Sequence, residues 1–314
     1  MPSLLTSLFM AAFFLESLAA ILQNGFMVAV LGHGWLRGRV MPAGDMIVTC
    51  LAACRLGLHS TAVMNNLLVI FQLYHREYFF GILWDFSNTL TFWLTAWLSS
   101  FYCVKIASFS HPTFLWVRWR LSRSVPRLLL GSLAVSVLTS ISMAIGNKIQ
   151  VGTSQEPHSN GSWVASAWTF RWAFSLLRVL LSLSVPFLLF LTSTALLIFS
   201  LRRHLGQMRA GQHGSWDLST QAHTVALKSL FFFLVFYSLY YVSLIVVITI
   251  TPLQAHKYWL SQVVTYAGIS LHSTILLLSS PRFKRILKRG ATRCGGLDRG
   301  PVSPRGSDQK PVPD

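Results

Sequence analysis

Seven stretches of the chain are apolar, long enough for a membrane-crossing helix, and separated by polar breaks. They fall near residues 7–31, 46–72, 84–107, 125–147, 173–201, 227–251 and 259–279. A hydrocarbon core of about 30 Å takes about 20 helical residues to cross. Backbone groups in lipid must be satisfied internally, so these stretches are expected to be helices. The pattern predicts an all-α membrane protein, a bundle of seven transmembrane helices.

The first stretch has an alternative interpretation as a signal peptide, because Ala19-Ala20 would permit cleavage. However, no basic segment precedes the apolar run, and the run exceeds the roughly 7–15 residues typical of a signal peptide's apolar region. We therefore interpret it as the first span.

Composition agrees with a membrane protein, since 53% of residues are hydrophobic and only 11% are charged. A soluble domain usually carries about 25% charged residues. Of the four cysteines, Cys50, Cys54 and Cys103 lie in apolar stretches and Cys294 lies near the end of the chain. That distribution does not form a disulfide framework. Stability is therefore expected to come from helix packing.

The net charge of +17 is divided unequally between the two ends of the predicted helices. One set of connections, together with the tail, holds seventeen Lys and Arg, whereas the opposite set holds Arg76, Lys148, Arg171 and Lys257. Cytoplasmic loops carry the excess of basic residues, so the N-terminus is predicted outside and the C-terminus inside. Residues 1–280 would form the seven-helix domain, and residues 281–314 a basic, largely disordered tail. The charge then needs anionic lipid or a protein partner, and no nucleic acid.

The longest predicted outside loop, roughly residues 148–172, contains Asn160-Gly161-Ser162. This tripeptide fits the N-glycosylation pattern, and its outside placement favours modification of Asn160. The alternative is an unmodified surface asparagine.

Short motifs at the helix ends follow the pattern of one receptor family. Asn24-Gly25-Phe26-Met27 is similar to the family's Asn-Gly-Phe-Ile. Leu51-Ala52-Ala53-Cys54-Arg55 is similar to its Leu-Ala-x-Ser-Arg, with Cys54 in place of serine. Phe101-Tyr102, followed by Lys105-Ile106-Ala107, is similar to its Phe-Tyr-x-x-Lys-Ile-Ala.

Motifs in the second half of the chain also follow the pattern of this family. Ser200-Leu201-Arg202-Arg203-His204 reaches Met208, as in Ser-Leu-x-x-His-x-x-x-Met. His223 with Ala226-Leu227-Lys228 fits His-x-x-Ala-Leu-Lys, and His272-Ser273 with Leu276 fits the seventh-span pattern. The chain therefore resembles the bitter taste receptors, also called type 2 taste receptors, over nearly its whole length. It lacks the Asp-Arg-Tyr and Asn-Pro-x-x-Tyr motifs of rhodopsin-like receptors.

This resemblance implies a G-protein-coupled receptor of the plasma membrane. Such a receptor binds small bitter molecules in the outer half of the bundle and activates a gustducin-type heterotrimeric G protein inside the cell. It implies no enzymatic activity, no cofactor and no metal, and the chain has no metal-binding or nucleophile motif. The alternative class is a seven-span transporter or channel, which would need inverted repeats and intramembrane charges along a path. Glu16, Arg55 and Arg178 are instead isolated.

Two positions are unusual for the family or for a membrane span. Ser280-Pro281 stands where the family has asparagine followed by a non-proline residue. Proline lacks a backbone donor and restricts its predecessor, so the seventh helix is expected to stop or kink there. Glu16 lies at membrane depth, where an ionisable side chain is costly and suggests a buried partner or a water-filled cavity.

A ligand site is predicted near the outer end of the third span. Trp84 and Asn88 are one helical turn apart, so they share a face and offer an aromatic surface beside an amide. By resemblance they match the Trp and Asn through which bitter receptors engage agonists. The other predicted ligand contacts are Asp85, Arg178, Tyr240, Gln262 and Tyr266.

Each of these residues also has a structural interpretation. Trp84 could face the lipid interface, Asn88 could join two helices, and Arg178 could pair with Asp85 without touching a ligand. Arg55 is predicted to be structural, bonding near Asn24 and the seventh helix, and His272 is predicted to be structural as well.

The predicted surface for the G protein is basic. It comprises Lys105, Arg118, Arg120, Arg202, Arg203, His204, His223 and Lys228. The alternative is that these charges serve only to orient the chain in the membrane. Cys294 is interpreted either as a palmitoylation site or as a free thiol.

Overall fold

A computed structural model describes residues 3–38, 40–73, 77–107, 112–154, 161–211, 218–249, 255–280 and 283–286. Its α-helices are α1 (Leu4–Leu36), α2 (Ala43–Ile70), α3 (Glu77–Ile106), α4 (Pro112–Ser154), α5 (Gly161–Gly211), α6 (Leu218–Thr249) and α7 (Ala255–Ser279). These ranges contain no β-strand. The all-helical prediction is therefore confirmed for this part of the chain.

The helices extend beyond the apolar stretches that predicted them. The fifth stretch, 173–201, lies within the 51 residues of α5. At about 1.5 Å per residue, α5 is much longer than the hydrocarbon core is thick. Residues 148–172, predicted to be a loop, are helical up to Ser154 and again from Gly161. Once a helix has formed, each further residue adds a hydrogen bond, so helices continue into polar sequence.

Six of the helices contain segments long and apolar enough to cross a membrane, namely those in α1, α2, α4, α5, α6 and α7. α3 is not among them, because its middle carries many hydroxyl and amide side chains. Those polar side chains are buried: Thr91 and Thr95 are exposed by 0% and 1%. α3 contacts α2, α4 and α5, so protein surrounds it.

Hydrogen bonds between side chains join α3 to its neighbours. The Ser99 hydroxyl lies 2.7 Å from the Thr194 hydroxyl, and the Ser100 hydroxyl lies 2.8 Å from the Ser193 hydroxyl, which connects α3 to α5. Trp97 Nε1–H donates to Ser132 Oγ on α4 at 2.9 Å. These three side chains of α3 thus have partners on neighbouring helices.

Aromatic rings pack together between α3, α5 and α6. The Phe92 ring stacks on Tyr240 at 5.2 Å between centroids and lies 5.0 Å from Tyr237. Phe190 of α5 meets Tyr237 edge to face at 4.6 Å. These rings bury large apolar areas and fix the positions of α3, α5 and α6 around the site described below.

α7 ends at Ser279, immediately before Ser280-Pro281, where proline was expected to interrupt the helix. The chain divides into two compact units, Met1–Ile275 and Leu276–Asp314. In the second unit, Phe283–Ile286 is helical and Lys284 N–H donates to Ser280 O at 3.2 Å.

Candidate functional site

The predicted ligand residues lie at the end of the bundle where α3 begins, and polar contacts connect six of them in three pairs. Trp84 Nε1–H on α3 donates to the Tyr266 hydroxyl oxygen on α7 at 2.5 Å. One turn further along α3, Asn88 Oδ1 accepts a hydrogen bond from the Tyr240 hydroxyl on α6. The Trp84 indole N–H therefore connects α3 to α7, and the Asn88 amide oxygen connects α3 to α6.

The third pair is ionic. Arg178 Nη1 on α5 lies 2.6 Å from Asp85 Oδ1 on α3, and the two side chains are 14% and 5% exposed. Asp85 Oδ2 is buried and has no hydrogen-bond partner among the described residues. One carboxylate oxygen is thus engaged by a guanidinium while the other remains available inside the protein.

The remaining predicted ligand residue, Gln262, lies on α7 one turn before Tyr266 and is half-buried. Trp84 is also half-buried, whereas Asn88, Tyr240 and Tyr266 are 3%, 0% and 2% exposed. Trp84 and Gln262 are therefore more accessible than Asn88 and Tyr240.

α1 and α2 contribute two rings to this region that the sequence did not single out. The Phe13 ring lies 5.4 Å from Tyr266, and the His59 ring lies 5.2 Å from Tyr266. Both side chains are 0% exposed. The spacing of four residues between Arg55 and His59 could have indicated His59, because it puts both on one face of α2.

The residues predicted to be structural lie deeper in the bundle and contact one another. Arg55 Nη1 donates to Ser273 Oγ at 3.0 Å, and Ser273 Oγ donates to Asn24 Oδ1 at 3.1 Å. Arg55 Nη2 lies 2.6 Å from His272 Nδ1. The His272 ring in turn stacks on Phe233 of α6, with 3.6 Å between centroids. Four helices, α1, α2, α6 and α7, therefore meet at this network.

The basic residues predicted for the cytoplasmic surface lie at the opposite end of the bundle, on α3, α4, α5 and α6. The side chains of Lys105, Arg118, Arg120, Arg202, Arg203, His204 and Lys228 are exposed. Two guanidinium groups lie over indole rings, Arg120 over Trp116 at 5.2 Å and Arg123 over Trp119 at 4.2 Å.

Some predicted positions cannot be placed in this way. Asn160 and Cys294 lie outside the described residues, and so does most of the tail. His223 falls within α6, but its side chain is outside the description. Within the described ranges, no three His, Cys, Asp or Glu side chains gather as metal ligands would.

Comparison with known proteins decides the family. A family model described as Taste receptor protein (TAS2R) matches residues 1–293. The chain is 49% identical to Taste receptor type 2 member 134 of Rattus norvegicus over 282 residues, which cover 90% of this chain and 85% of that one. The chain belongs to the type 2 taste receptor family.

Other type 2 taste receptors match over similar lengths. Taste receptor type 2 member 62 of Pan paniscus is 49% identical over 291 residues, covering 92% of this chain and 93% of that one. Taste receptor type 2 member 16 of Pan troglodytes is 38% identical over 289 residues, covering 91% and 98%.

Membership confirms the resemblance that the short motifs indicated. Type 2 taste receptors are bitter taste receptors of the G-protein-coupled class. This chain is accordingly a multi-pass receptor of the plasma membrane, in a family of receptors and not of enzymes. The family implies a small-molecule ligand and coupling to a G protein.

Proposed function

We propose that this type 2 taste receptor binds small bitter molecules between α3, α5, α6 and α7. In this proposal all seven helices cross the membrane, with the N-terminus outside. Binding would activate a gustducin-type heterotrimeric G protein at the cytoplasmic end. The observation that carries the proposal is the set of three polar pairs by which α3 holds α7, α6 and α5 at one end of the bundle.

The groups in this region favour a small ligand that is apolar or cationic. Trp84, Tyr240 and Tyr266 offer aromatic surface for stacking. Asp85 Oδ2, buried and without a described partner, offers a carboxylate oxygen to an ammonium group or another donor. Pockets of this kind combine apolar walls with a few polar groups that orient the ligand.

The same pairs suggest how binding would change the receptor. A ligand that bonds to Asn88 competes with the Tyr240 hydroxyl, and a ligand that bonds to Trp84 Nε1–H competes with Tyr266. Either exchange replaces a contact between two helices with a contact to the ligand. The ligand then shifts the population toward the conformation in which α6 or α7 has moved, because it binds that conformation more tightly.

The opposite end of the bundle supports coupling. Exposed cations on α3, α4, α5 and α6 lie at one end of these helices. Three of the residues predicted for this surface, Lys105, His204 and His223, belong to family motifs. A cationic surface of this kind suits an acidic helical segment of a protein partner. Orientation in the membrane alone would not require those particular residues.

Calcium release tests the proposal in cells that carry the receptor with a promiscuous G-protein α subunit. We expect a saturable response to a panel of bitter compounds, and no response when the α subunit is absent. Trp84→Phe and Asn88→Ala should each shift the dose–response curve by about tenfold, since each removes one hydrogen bond to the ligand, worth about 1.4 kcal/mol.

Trp97→Phe is the matched control. Trp97 also lies on α3 and also donates its indole N–H to a hydroxyl on a neighbouring helix, but at Ser132 of α4. Surface expression should be similar for Trp84→Phe and Trp97→Phe, and the response should fall only for Trp84→Phe. Equal dose–response curves for both variants would remove Trp84 from the ligand site. Ion current without any G protein would instead indicate a channel.

Glycosylation tests the orientation separately. If Asn160 lies outside and carries a glycan, Asn160→Gln should abolish a glycosidase-sensitive shift in electrophoretic mobility. A shift that persists in Asn160→Gln would contradict this assignment.

A further inference from the structure

Arg55 brings a positive charge into the interior of the bundle, where the groups bonded to it are neutral. Its side chain is 1% exposed. Its two terminal nitrogens contact the Ser273 hydroxyl at 3.0 Å, the Thr95 hydroxyl at 3.4 Å and His272 Nδ1 at 2.6 Å. Since Nδ1 of His272 must accept here, that imidazole is neutral with its proton on Nε2.

No carboxylate compensates this charge in the described part of the chain. Among those residues, the ion pair within 4.0 Å is Arg178–Asp85, and it does not include Arg55. A guanidinium is always protonated. A charge buried in a low-dielectric interior is unfavourable unless an opposite charge or hydrogen-bond acceptors accompany it.

Several polar groups near this guanidinium also have no hydrogen-bond partner in the described ranges. They are Arg55 Nε and both ring nitrogens of His59. The Tyr237 hydroxyl is also buried, and it has the Thr95 side chain as a hydrogen-bond neighbour. His59 follows Arg55 by one helical turn on the same face of α2. Tyr237 of α6 lies 5.0 Å from the Phe92 ring on α3, one helical turn before the Thr95 that contacts Arg55. His59 and Tyr237 are 0% and 1% exposed.

These groups are mainly hydrogen-bond donors. Arg55 Nε–H can only donate, a neutral imidazole has one N–H, and the Tyr237 hydroxyl can donate its proton. The partner that suits them is therefore an acceptor, and an acceptor with a negative charge would also compensate the buried guanidinium. Buried polar groups in native proteins are almost always paired with protein, water or an ion.

We propose that Arg55, His59 and Tyr237 bind a small inorganic anion, a halide such as chloride. A monatomic anion can accept from all three donors and neutralises the guanidinium. The site lies beside Tyr240 and Tyr266, so the anion connects α2 to α6 and stabilises the packing of the helices below the ligand residues.

Thermal unfolding of the purified full-length receptor in lipid nanodiscs tests this inference. The apparent Tm is measured in sodium chloride and in sodium gluconate at equal ionic strength. A ligand that binds only the folded state raises stability with the logarithm of its concentration above Kd. We expect chloride to raise Tm by about 2–4 °C in a concentration-dependent way that gluconate does not reproduce.

Tyr237→Phe and His59→Phe remove the donors while retaining an aromatic ring. Tyr241→Phe is the control, because Tyr241 also lies on α6 but bonds to Ser184 Oγ of α5 at 2.7 Å. The chloride-dependent rise in Tm should fall at least threefold in Tyr237→Phe and in His59→Phe, and should persist in Tyr241→Phe. Two substitutions keep the test decisive if one of them prevents folding.

Two results would overturn the inference. If the wild-type receptor has the same Tm in chloride and gluconate, neutral groups or water satisfy Arg55. If chloride raises Tm equally in all variants, the anion binds elsewhere. Bromide-soaked crystals give an independent measurement, since anomalous scattering beside Arg55 would support the site and its absence there would contradict it.

Discussion

α1 and α3 differ both in how apolar their sequences are and in how much of their side-chain surface is exposed. α1 is strongly apolar, and Leu15, Leu18 and Leu22 on its surface are 54–69% exposed. α3 is too polar to meet the hydropathy of the other helices, yet Phe92, Thr91 and Ala96 on it are 0% exposed. The more apolar helix therefore has the more exposed surface.

The difference follows from what surrounds each helix. Lipid offers no hydrogen bonds, so a helix that faces lipid must be apolar. A helix surrounded by other helices can carry hydroxyl and amide groups, provided that its neighbours supply partners. Polarity within a span therefore indicates a central position in the bundle, and on α3 it also provides the residues of the proposed ligand site.

The largest effect is expected when a buried aromatic ring on α3 is replaced by a methyl group. Phe92→Ala removes stacking with Tyr240 and Tyr237, and should lower the free energy of unfolding by about 3–5 kcal/mol. The measurement is apparent Tm together with surface expression.

The corresponding change on α1 is Leu22→Ala, at a side chain that is 66% exposed. Its Tm and expression should stay close to those of the wild type, because lipid occupies the volume of the lost methyl groups. A similar loss for both variants would mean that the two helices do not differ in environment.

A second test concerns close helix approach. A Cβ atom added at Gly268 of α7 would lie 2.9 Å from the backbone oxygen of Phe236 on α6, whereas one added at Gly25 of α1 would meet nothing within 4 Å. Gly268→Ala should therefore cost about 1–3 kcal/mol, and Gly25→Ala should be neutral. Tm values measured in parallel would check this, and an unchanged Tm for Gly268→Ala would contradict the observed packing.

The smallest effect is expected for the hydroxyl pairs between α3 and α5. A double-mutant cycle of Ser100→Ala and Ser193→Ala should give a coupling of about 0.6 kcal/mol, the average for such bonds in membranes. Thr192→Ala is the control, because the exposed Thr192 hydroxyl bonds within α5, to Leu188 O and Leu189 O. Coupling between Ser100 and Thr192 should be absent.

Much of the helical structure was predictable from the apolar composition and the length of each stretch. Each apolar stretch lies mostly within one observed helix, because apolar composition and backbone hydrogen bonding in lipid require helices. The ends were less predictable. α4 and α5 continue into polar sequence, where no lipid boundary determines the last residue.

The proposed site was partly predictable for a similar reason. The spacing of Trp84 and Asn88 indicates a shared face on α3, and opposite charges indicate the pairing of Asp85 with Arg178. Spacing within one helix does not reveal which helix lies opposite, so the bonds from Trp84 to Tyr266 and from Tyr240 to Asn88 required the folded structure.

The sequence by itself determined the class of protein, the helical nature of its apolar stretches and its family. These properties depend on local composition and on motifs that can be read along the chain. Only the tertiary structure decided that α3 is the polar, central helix, and that Thr95 of α3 contacts Arg55. The physical reason is that a buried polar group is defined by its neighbours, and those neighbours are far away in sequence.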